Sequence, residues 1–366
     1  MFPQEVIPAG RVVLRPLTDA DADAIARGCA DPEIARFVPG MPVPYTGAEA
    51  RAFLAGVPGQ WERGGLCLAV AGKADGEWLG TVSLKPPGPR GAVEIGYLVA
   101  PWARGRGAAA AAVRALTEWA FERGVYRVEL VTDLDNTGSQ RVAMSAGFRR
   151  EGVQRGAAPA RDGRYDDLTA FARLASDSGE RQESYLPGLP GGFLSDGVVR
   201  LAPLVLADVD DYQALACDPD VLKYSVPGEP PDREDSVRRC RYTPTWWLSG
   251  ERAELSIRDE ATGGFAGHVQ LMNVNPALGQ AMIGYSLVSA YRGRGIMTRA
   301  VDLLADWCFT ATAIHRLIAG TAVDNLASQH VLTRAGFTRE ALLKSLLPAP
   351  DGTRHDDYQW VRLRPT

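Results

Sequence analysis

Apolar and polar positions along this chain predict one order of elements, written twice. A short strand near 12–14 leads into a helix from about Asp19 to Cys29. A second helical stretch covers about 47–63, and strands follow near 67–71 and 79–84. A further strand, 93–99, runs into a basic, glycine-rich turn. The helix after that turn places Val113, Leu116, Trp119 and Ala120 on one face, the spacing of an amphipathic helix. Gly124 ends it. Residues 126–132 alternate as a strand, a helix spans 137–145 and stops at Gly147, and the remainder to Leu174 reads as a hairpin around Asp162-Gly163. In the second half Val301, Leu304, Trp307 and Cys308 take the apolar face, and 315–321 takes the strand.

The repetition extends to individual residues. Val12-Val13-Leu14-Arg15-Pro16-Leu17 resembles Val199-Arg200-Leu201-Ala202-Pro203-Leu204, and Asp31-Pro32-Glu33 resembles Asp218-Pro219-Asp220. The spacing is 187 from Pro16 to Pro203, 188 from Gly107 to Gly295 and 189 from Gly147 to Gly336. A drift of two residues over most of a half identifies an internal duplication. Residues 176–184 are polar and 187–192 are rich in proline and glycine, which predicts a linker with a boundary near residue 185. The expected domains are 1–178 and 193–366, joined by 179–192.

Composition adds limits. A chain of 366 residues, 46% hydrophobic and 23% charged, suits two or three globular domains. A net charge of −4 argues against broad electrostatic binding to nucleic acid or an anionic membrane. The five cysteines are scattered, without the paired spacing of a zinc or redox site, so a reduced cytoplasmic setting and no metal are expected. Met1 to Gly10 lacks a signal-peptide pattern, and no apolar run approaches the ~20 residues that cross a bilayer.

The most informative stretch is the basic turn. It reads Gly96-Tyr97-Leu98-Val99-Ala100-Pro101-Trp102-Ala103-Arg104-Gly105-Arg106-Gly107 in one half. In the other it reads Gly284-Tyr285-Ser286-Leu287-Val288-Ser289-Ala290-Tyr291-Arg292-Gly293-Arg294-Gly295. Successive backbone N–H groups and a helix N-terminus together suit a pyrophosphate, two arginines add charge, and glycine allows close approach. No Lys-Ser or Lys-Thr follows, which excludes a Walker loop.

Both halves resemble the GNAT acetyltransferase superfamily, and within it the RimJ/RimL-like branch. Arg104-x-x-Gly107-x-Ala109 satisfies the family's acetyl-CoA signature. Arg292-x-x-Gly295-x-Met297 departs only at its last position. The branch's Asn-x-x-Ser…Gly-Phe pattern follows as Asn136, Ser139, Gly147 and Phe148, and again as Asn325, Ser328, Gly336 and Phe337. The tail through Asp162-Gly163-Arg164-Tyr165-Asp166-Asp167 is mirrored by Asp351-Gly352-Thr353-Arg354-His355-Asp356-Asp357. The resemblance implies an α/β (α+β) fold of two GNAT domains in tandem, each a mixed, mostly antiparallel sheet flanked by helices. It also implies acetyl-CoA as acyl donor, held by Leu98, Val99, Arg104, Gly105, Arg106, Gly107, Ala109 and Asn136. The second set would be Leu287, Val288, Arg292, Gly293, Arg294, Gly295, Met297 and Asn325.

The implied reaction is direct transfer to an amine in a ternary complex. An ammonium has no lone pair, and a nearby carboxylate, directly or through water, can take its proton. Glu94 stands where the family often places that base, whereas Met282 occupies the equivalent site in the second half, with His268 or Asp324 as substitutes. A backbone N–H near Leu98 or Leu287 would hold the oxyanion. The positions of the family's frequent thiolate-protonating tyrosine hold Ala143 and Leu332. Ser139 and Ser328 would bond the coenzyme's sulfur or arm, or cap a helix. Of Trp61, Trp246 and Trp247 on the second helical stretch, two are expected in the core, and the paired aspartates of the tail would attract a cationic amine or end a solvated hairpin. The acceptor is a protein or peptide N-terminus, or a small molecule such as an antibiotic or peptide natural product. A non-catalytic acyl-CoA sensor or scaffold is the remaining alternative, and the halves would pair as a pseudo-dimer.

Overall fold

The computed structural model describes residues 2–89, 91–226, 228–349 and 352–365. Asp351, part of the tail pattern, lies outside them. The chain divides into two compact units, Met1–Glu183 and Ser184–Thr366. The expected linker is divided between them. Leu186 and Leu189 are buried in the core of the second unit, and Trp247 donates its indole N–H to the Pro187 carbonyl at 2.9 Å. Two leucines among prolines and glycines supply enough apolar surface to dock that stretch, so it is not a free tether.

In the first unit the strands are β1 (Ile7–Ala9), β2 (Val12–Pro16), β3 (Leu66–Gly72), β4 (Trp78–Leu84), β5 (Val93–Val99), β6 (Arg127–Asp133), β7 (Arg149–Pro159) and β8 (Tyr165–Leu174). They pair in the order β1-β2-β3-β4-β5-β6-β8-β7, antiparallel except for β5 with β6. The helices are α1 (Ala22–Cys29), α2 (Pro32–Phe37), α3 (Gly47–Glu62), α4 (Ala108–Phe121) and α5 (Thr137–Ser145). The predicted first helix begins as a single 3-10 turn, and α2 was not anticipated. Its start is nonetheless marked in the sequence. Asp31 accepts from the backbone N–H groups of Glu33 and Ile34, and Pro32 fills the first helical position.

The second unit repeats the plan with β9 (Leu194–Ser195), β10 (Val199–Pro203), β11 (Ala253–Asp259), β12 (Phe265–Asn275), β13 (Gln280–Leu287), β14 (Arg316–Ala322), β15 (Thr338–Pro348) and β16 (Arg354–Leu363). Its helices are α6 (Val209–Ala216), α7 (Pro219–Leu222), α8 (Arg233–Ser249), α9 (Ile296–Ala311) and α10 (Leu326–Arg334). The sheet order is β15-β16-β14-β13-β12-β11-β10-β9, and β13 with β14 is the parallel pair.

Each sheet buries one face under the helix that follows the basic turn. Val113, Leu116, Trp119 and Ala120 of α4 pack with Leu68, Val82, Ile95 and Leu130, and Val301, Leu304, Trp307 and Cys308 of α9 pack with Leu255, Val269 and Ile283. All eight predicted helix positions are buried. Trp61 and Trp247 are in the cores, while Trp246 stays partly exposed with the Arg252 guanidinium over its ring.

The parallel pair positions the site in each unit. Strands β5 and β6 are paired only at Val93 with Val128 and Glu94 with Glu129. Beyond that, β5 stays with β4 and β6 stays with β8, so the sheet opens between them. In the second unit β13 and β14 part beyond Met282 and Ile318.

Candidate active site

Both basic turns present backbone donors without acceptors. The Arg104 amide donates to the Pro101 carbonyl, and the next amide in this turn to find a backbone acceptor is that of Ala111, bonded to Gly107. Among the described residues, amides 105–110 therefore carry no protein acceptor. In the second unit the same gap runs over 293–298, between the bonds of Arg292 to Ser289 and Arg299 to Gly295. Gly105 and Gly107 hold φ of 71° and 76°, and Gly293 and Gly295 hold 73° and 75°. A left-handed backbone is the reason for glycine here, because an added Cβ would meet nothing within 4 Å. That open space is where an anion would approach. Gly107 and Gly295 are also the N-caps of α4 and α9, so the helix dipoles point into the same place.

The two arginines of each turn have different surroundings. Arg104 binds both oxygens of Asp31, the α2 cap, at 3.0 and 3.4 Å, and Arg292 reaches Asp220 at 2.6 Å. Each therefore ties the turn to the start of a short helix earlier in the chain, α2 or α7. Arg106 and Arg294 enter no ion pair among the described residues, which leaves their charge available to a ligand. Ala109 and Met297 sit in the first turns of α4 and α9; Met297 is buried, so the departure at this signature position is filled by core packing.

Strand register decides which amides face the opening. Lys85 N–H bonds to Glu94 O and Ala100 N–H to Leu79 O, so the amides of Glu94, Gly96 and Leu98 point toward β4. Those of Tyr97 and Val99 point into the opening. In the second unit, Val288 N–H bonds to Ala266 O, which turns Tyr285 and Leu287 toward the opening. Val99 and Leu287 are thus equivalent, and Leu98 corresponds to Ser286. The 188-residue spacing of the two turns gives the same pairing, so the donors expected near Leu98 and Leu287 are not equivalent positions. Val288 continues past the strand as the cap of a 3-10 turn.

Asn136 and Asn325 are the N-caps of α5 and α10, accepting from the amides of Ser139 and Ser328 at 3.0 and 3.1 Å. The serines do not cap. Tyr97 donates to Ser139 Oγ at 2.9 Å, and Tyr285 O–H pairs with Ser328 Oγ at 2.8 Å, each bridging the opened sheet. Burial pushes both phenols up, Tyr285 to about 12. These tyrosines were missed as functional candidates, although the Gly-Tyr step shared by both copies was their signal. Ala143 and Leu332, where a tyrosine was sought, are fully buried core residues.

Glu94 lies at the closed end of the opening, 2.5 Å from Lys85 Nζ. Glu94, Glu129 and Asp133 share the sheet face opposite α4, by strand alternation from the Glu94–Glu129 pair. Burial first, then the charges of Asp135 and Asp166, push the Asp133 carboxyl up to about 6. In the second unit that position is Ala322, but its cross-strand partner is Asp357, also pushed up to about 6 by burial. Leu168 is the partner of Asp133, so each unit keeps one acid in this pair, half-buried Asp133 in the first and buried Asp357 in the second, on opposite strands.

The tail aspartates that match at the 189-residue spacing, Asp167 and Asp356, make the same contact. Asp167 accepts from Gly156 N–H, and Asp356 accepts from Ser345 N–H, both at 2.8 Å. These residues are therefore the equivalent pair, and each holds its own hairpin bulge. Asp324 lies 3.4 Å from Lys223 on the surface, and His268 is buried against Glu254 at 2.6 Å.

A family model described as the acetyltransferase (GNAT) domain matches residues 11–149 and again 199–338. The chain is similar to the probable N-acetyltransferase YjcK of Bacillus subtilis (strain 168), 44% identical over 71 residues, which span 19% of this chain and 39% of YjcK's own length. It is also similar to the putative ribosomal N-acetyltransferase YdaF of the same organism, 31% identical over 43% of this chain and 80% of YdaF. Among solved structures, Mycobacterium smegmatis RimJ in complex with CoA-disulfide is 26% identical, with a TM-score of 0.43 over 50% of this chain and 90% of RimJ. With the domain model matched once in each unit, over more than half of the sequence, the chain belongs to the GNAT acetyltransferase family.

Proposed function

We propose that the chain transfers acetyl from acetyl-CoA to a primary amine by direct attack in a ternary complex. The observation that carries this reading is the run of acceptor-free amides at 105–110 and 293–298, closed by left-handed glycines and a free arginine. A diphosphate supplies the acceptors those amides lack. From there a pantetheine arm fits the sheet opening, past the Tyr–Ser bridge, and brings the thioester carbonyl to the Val99 or Leu287 amide.

In the first unit Glu94 takes the proton of the acceptor ammonium. The neutral nitrogen forms its bond to the acyl carbon as the C–S bond breaks, and Val99 N–H holds the charge on the oxygen. Tyr97, bonded to Ser139, supplies a proton to the leaving thiolate and is reprotonated by the second proton that the nitrogen loses. A second reading of the base, Asp133, is favoured by its raised carboxyl and by its height on β6. It lies four residues beyond Glu129, level with Leu98, whereas Glu94 is at the closed end and paired with Lys85.

The acceptor's chemistry is an amine of a protein or peptide N-terminus, or of a small molecule. Thiol release with an amine panel separates an enzyme from a binding protein. The Arg106→Ala, Arg294→Ala double variant is expected to weaken acetyl-CoA binding about tenfold or more in calorimetry, and more so at low salt. Unchanged affinity would remove the cradle from the reading. For the base, Asp133→Asn is expected to abolish a rise in kcat/KM through about pH 6 if that carboxylate acts. A large loss of kcat in Glu94→Gln, with Asp133→Asn unimpaired, assigns the step to Glu94.

A further inference from the structure

One polar cluster of the second unit has no counterpart in the first. On β11 and β12, Glu254 is fully buried and bonds His268 Nε2 at 2.6 Å; Arg239 and Arg252 reach its other oxygen at 2.9 and 2.7 Å. Gln270 accepts from both arginines, and Tyr212 of α6 stands edge-on to the imidazole at 5.1 Å. At the corresponding places of the first unit stand Ile25, Phe53, Gly65, Cys67, Thr81 and Ser83, by strand register and by the shared helix caps. The same scaffold thus folds without any charge there. A buried carboxylate with two guanidiniums is weak evidence for stability, since apolar residues of similar size serve as well or better. Its presence calls for a chemical reason.

The location supplies one. His268 lies directly opposite Ser286 on β13, one residue before Leu287, whose amide faces the sheet opening. Opposed residues of neighbouring strands share a face, with Cβ atoms about 5 Å apart. Burial pushes the Glu254 carboxyl up, but the His268 hydrogen bond and the arginine charges outweigh it and hold it ionised. An ionised carboxylate requires the hydrogen on Nε2, so the neutral ring keeps its lone pair at Nδ1. That nitrogen makes no hydrogen bond among the described residues.

Resting on the acetyltransferase reading above, we propose that His268, oriented by Glu254, is the proton acceptor of a second catalytic centre in Ser184–Thr366, where Met282 replaces the carboxylate of the first. Nδ1 takes one proton from the acceptor ammonium. The nitrogen then forms the C–N bond, the C–S bond breaks, and the second proton lost by nitrogen neutralises the thiolate. The imidazolium returns its proton to water. Facing the imidazole are Glu254 from β11, Tyr212 from α6, Arg239 from α8, Arg252 ahead of β11 and Gln270 from β12.

The test uses the full chain with its first unit silenced by Glu94→Gln, Asp133→Asn and Arg106→Ala. Turnover of acetyl-CoA is followed with an alanyl peptide, a polyamine, an amino sugar and an aromatic amine, and acetyl-CoA binding is measured in parallel. Adding His268→Gln, whose amide still donates to Glu254, is expected to lower kcat about 100-fold or more, with acetyl-CoA affinity within about twofold and a smaller loss at high pH. Glu254→Gln, checked for folding by its melting profile, should reduce kcat in the same direction. Turnover untouched by His268→Gln, or no turnover from a silenced chain that still binds acetyl-CoA, overturns the dyad alone. No acetyl-CoA binding by the unmodified chain overturns the acetyltransferase reading and the dyad with it.

Discussion

At the residue scale, strand parity decides which atoms are free to react. The amides of Tyr97 and Val99 face the opening because their neighbours Gly96 and Leu98 bond to β4, and no choice of side chain alters that. Asp133 shows what partial burial costs a carboxyl. Its carboxyl titrates near pH 6 because burial disfavours the charge. A raised folded-state value means that stability is fullest below the ordinary carboxylate range and is lost as pH rises through about 6. Asp133→Asn is therefore expected to raise stability by about 1–2 kcal/mol at pH 7 and by little at pH 4. Thermal melts at the two pH values check this, and an equal shift at both would refute it. Glu94 was legible from its place in the motif. Asp133 was not, because its burial arises from packing on β6 and β8.

At the scale of elements, helix starts are read from caps and the site is assembled at those starts. Asn136 and Asn325 each satisfy an orphan amide of α5 and α10, which fixes where Ser139 and Ser328 meet the tyrosines. Replacing Asn136 by Ala should cost about 1 kcal/mol in a denaturant titration. It should also weaken acetyl-CoA binding, since the Tyr97–Ser139 bridge moves with the helix; full retention of both would show the cap to be dispensable. Gly107→Ala and Gly295→Ala force a side chain into a left-handed backbone, costing about 1–2 kcal/mol each. Helices α4 and α9 were predicted to their individual core residues, because a 3.6-residue period survives any tertiary arrangement. The short α2 and the edge strands β1 and β9 were not, since two to six residues carry too little periodicity.

At the scale of the whole molecule, duplication supplies two glycine–arginine turns with different ionisable groups near each sheet opening. The first offers Glu94 and Asp133, and the second offers His268, Glu254 and Asp357. Calorimetry on the full chain should accordingly give two acetyl-CoA sites, each lost separately with Arg106→Ala or Arg294→Ala. A single site would assign one cradle a purely structural role. Among the described residues, no helix is long and apolar enough to cross a membrane.

By itself, the sequence determined the duplication, the order of strands and helices, the amphipathic faces of α4 and α9 and the glycine–arginine turns. These depend on local periodicity and on residues that only a few backbone conformations accept. Tertiary structure alone decided that the amides of Val99 and Leu287 face the opening between strands, and that Asp167 and Asp356 each hold a hairpin bulge. It also brought His268 to Glu254 and Tyr97 to Ser139, across 14 and 42 residues of chain. Contacts between strands depend on pairing and on where the sheet opens, and neither leaves a periodic mark on the chain.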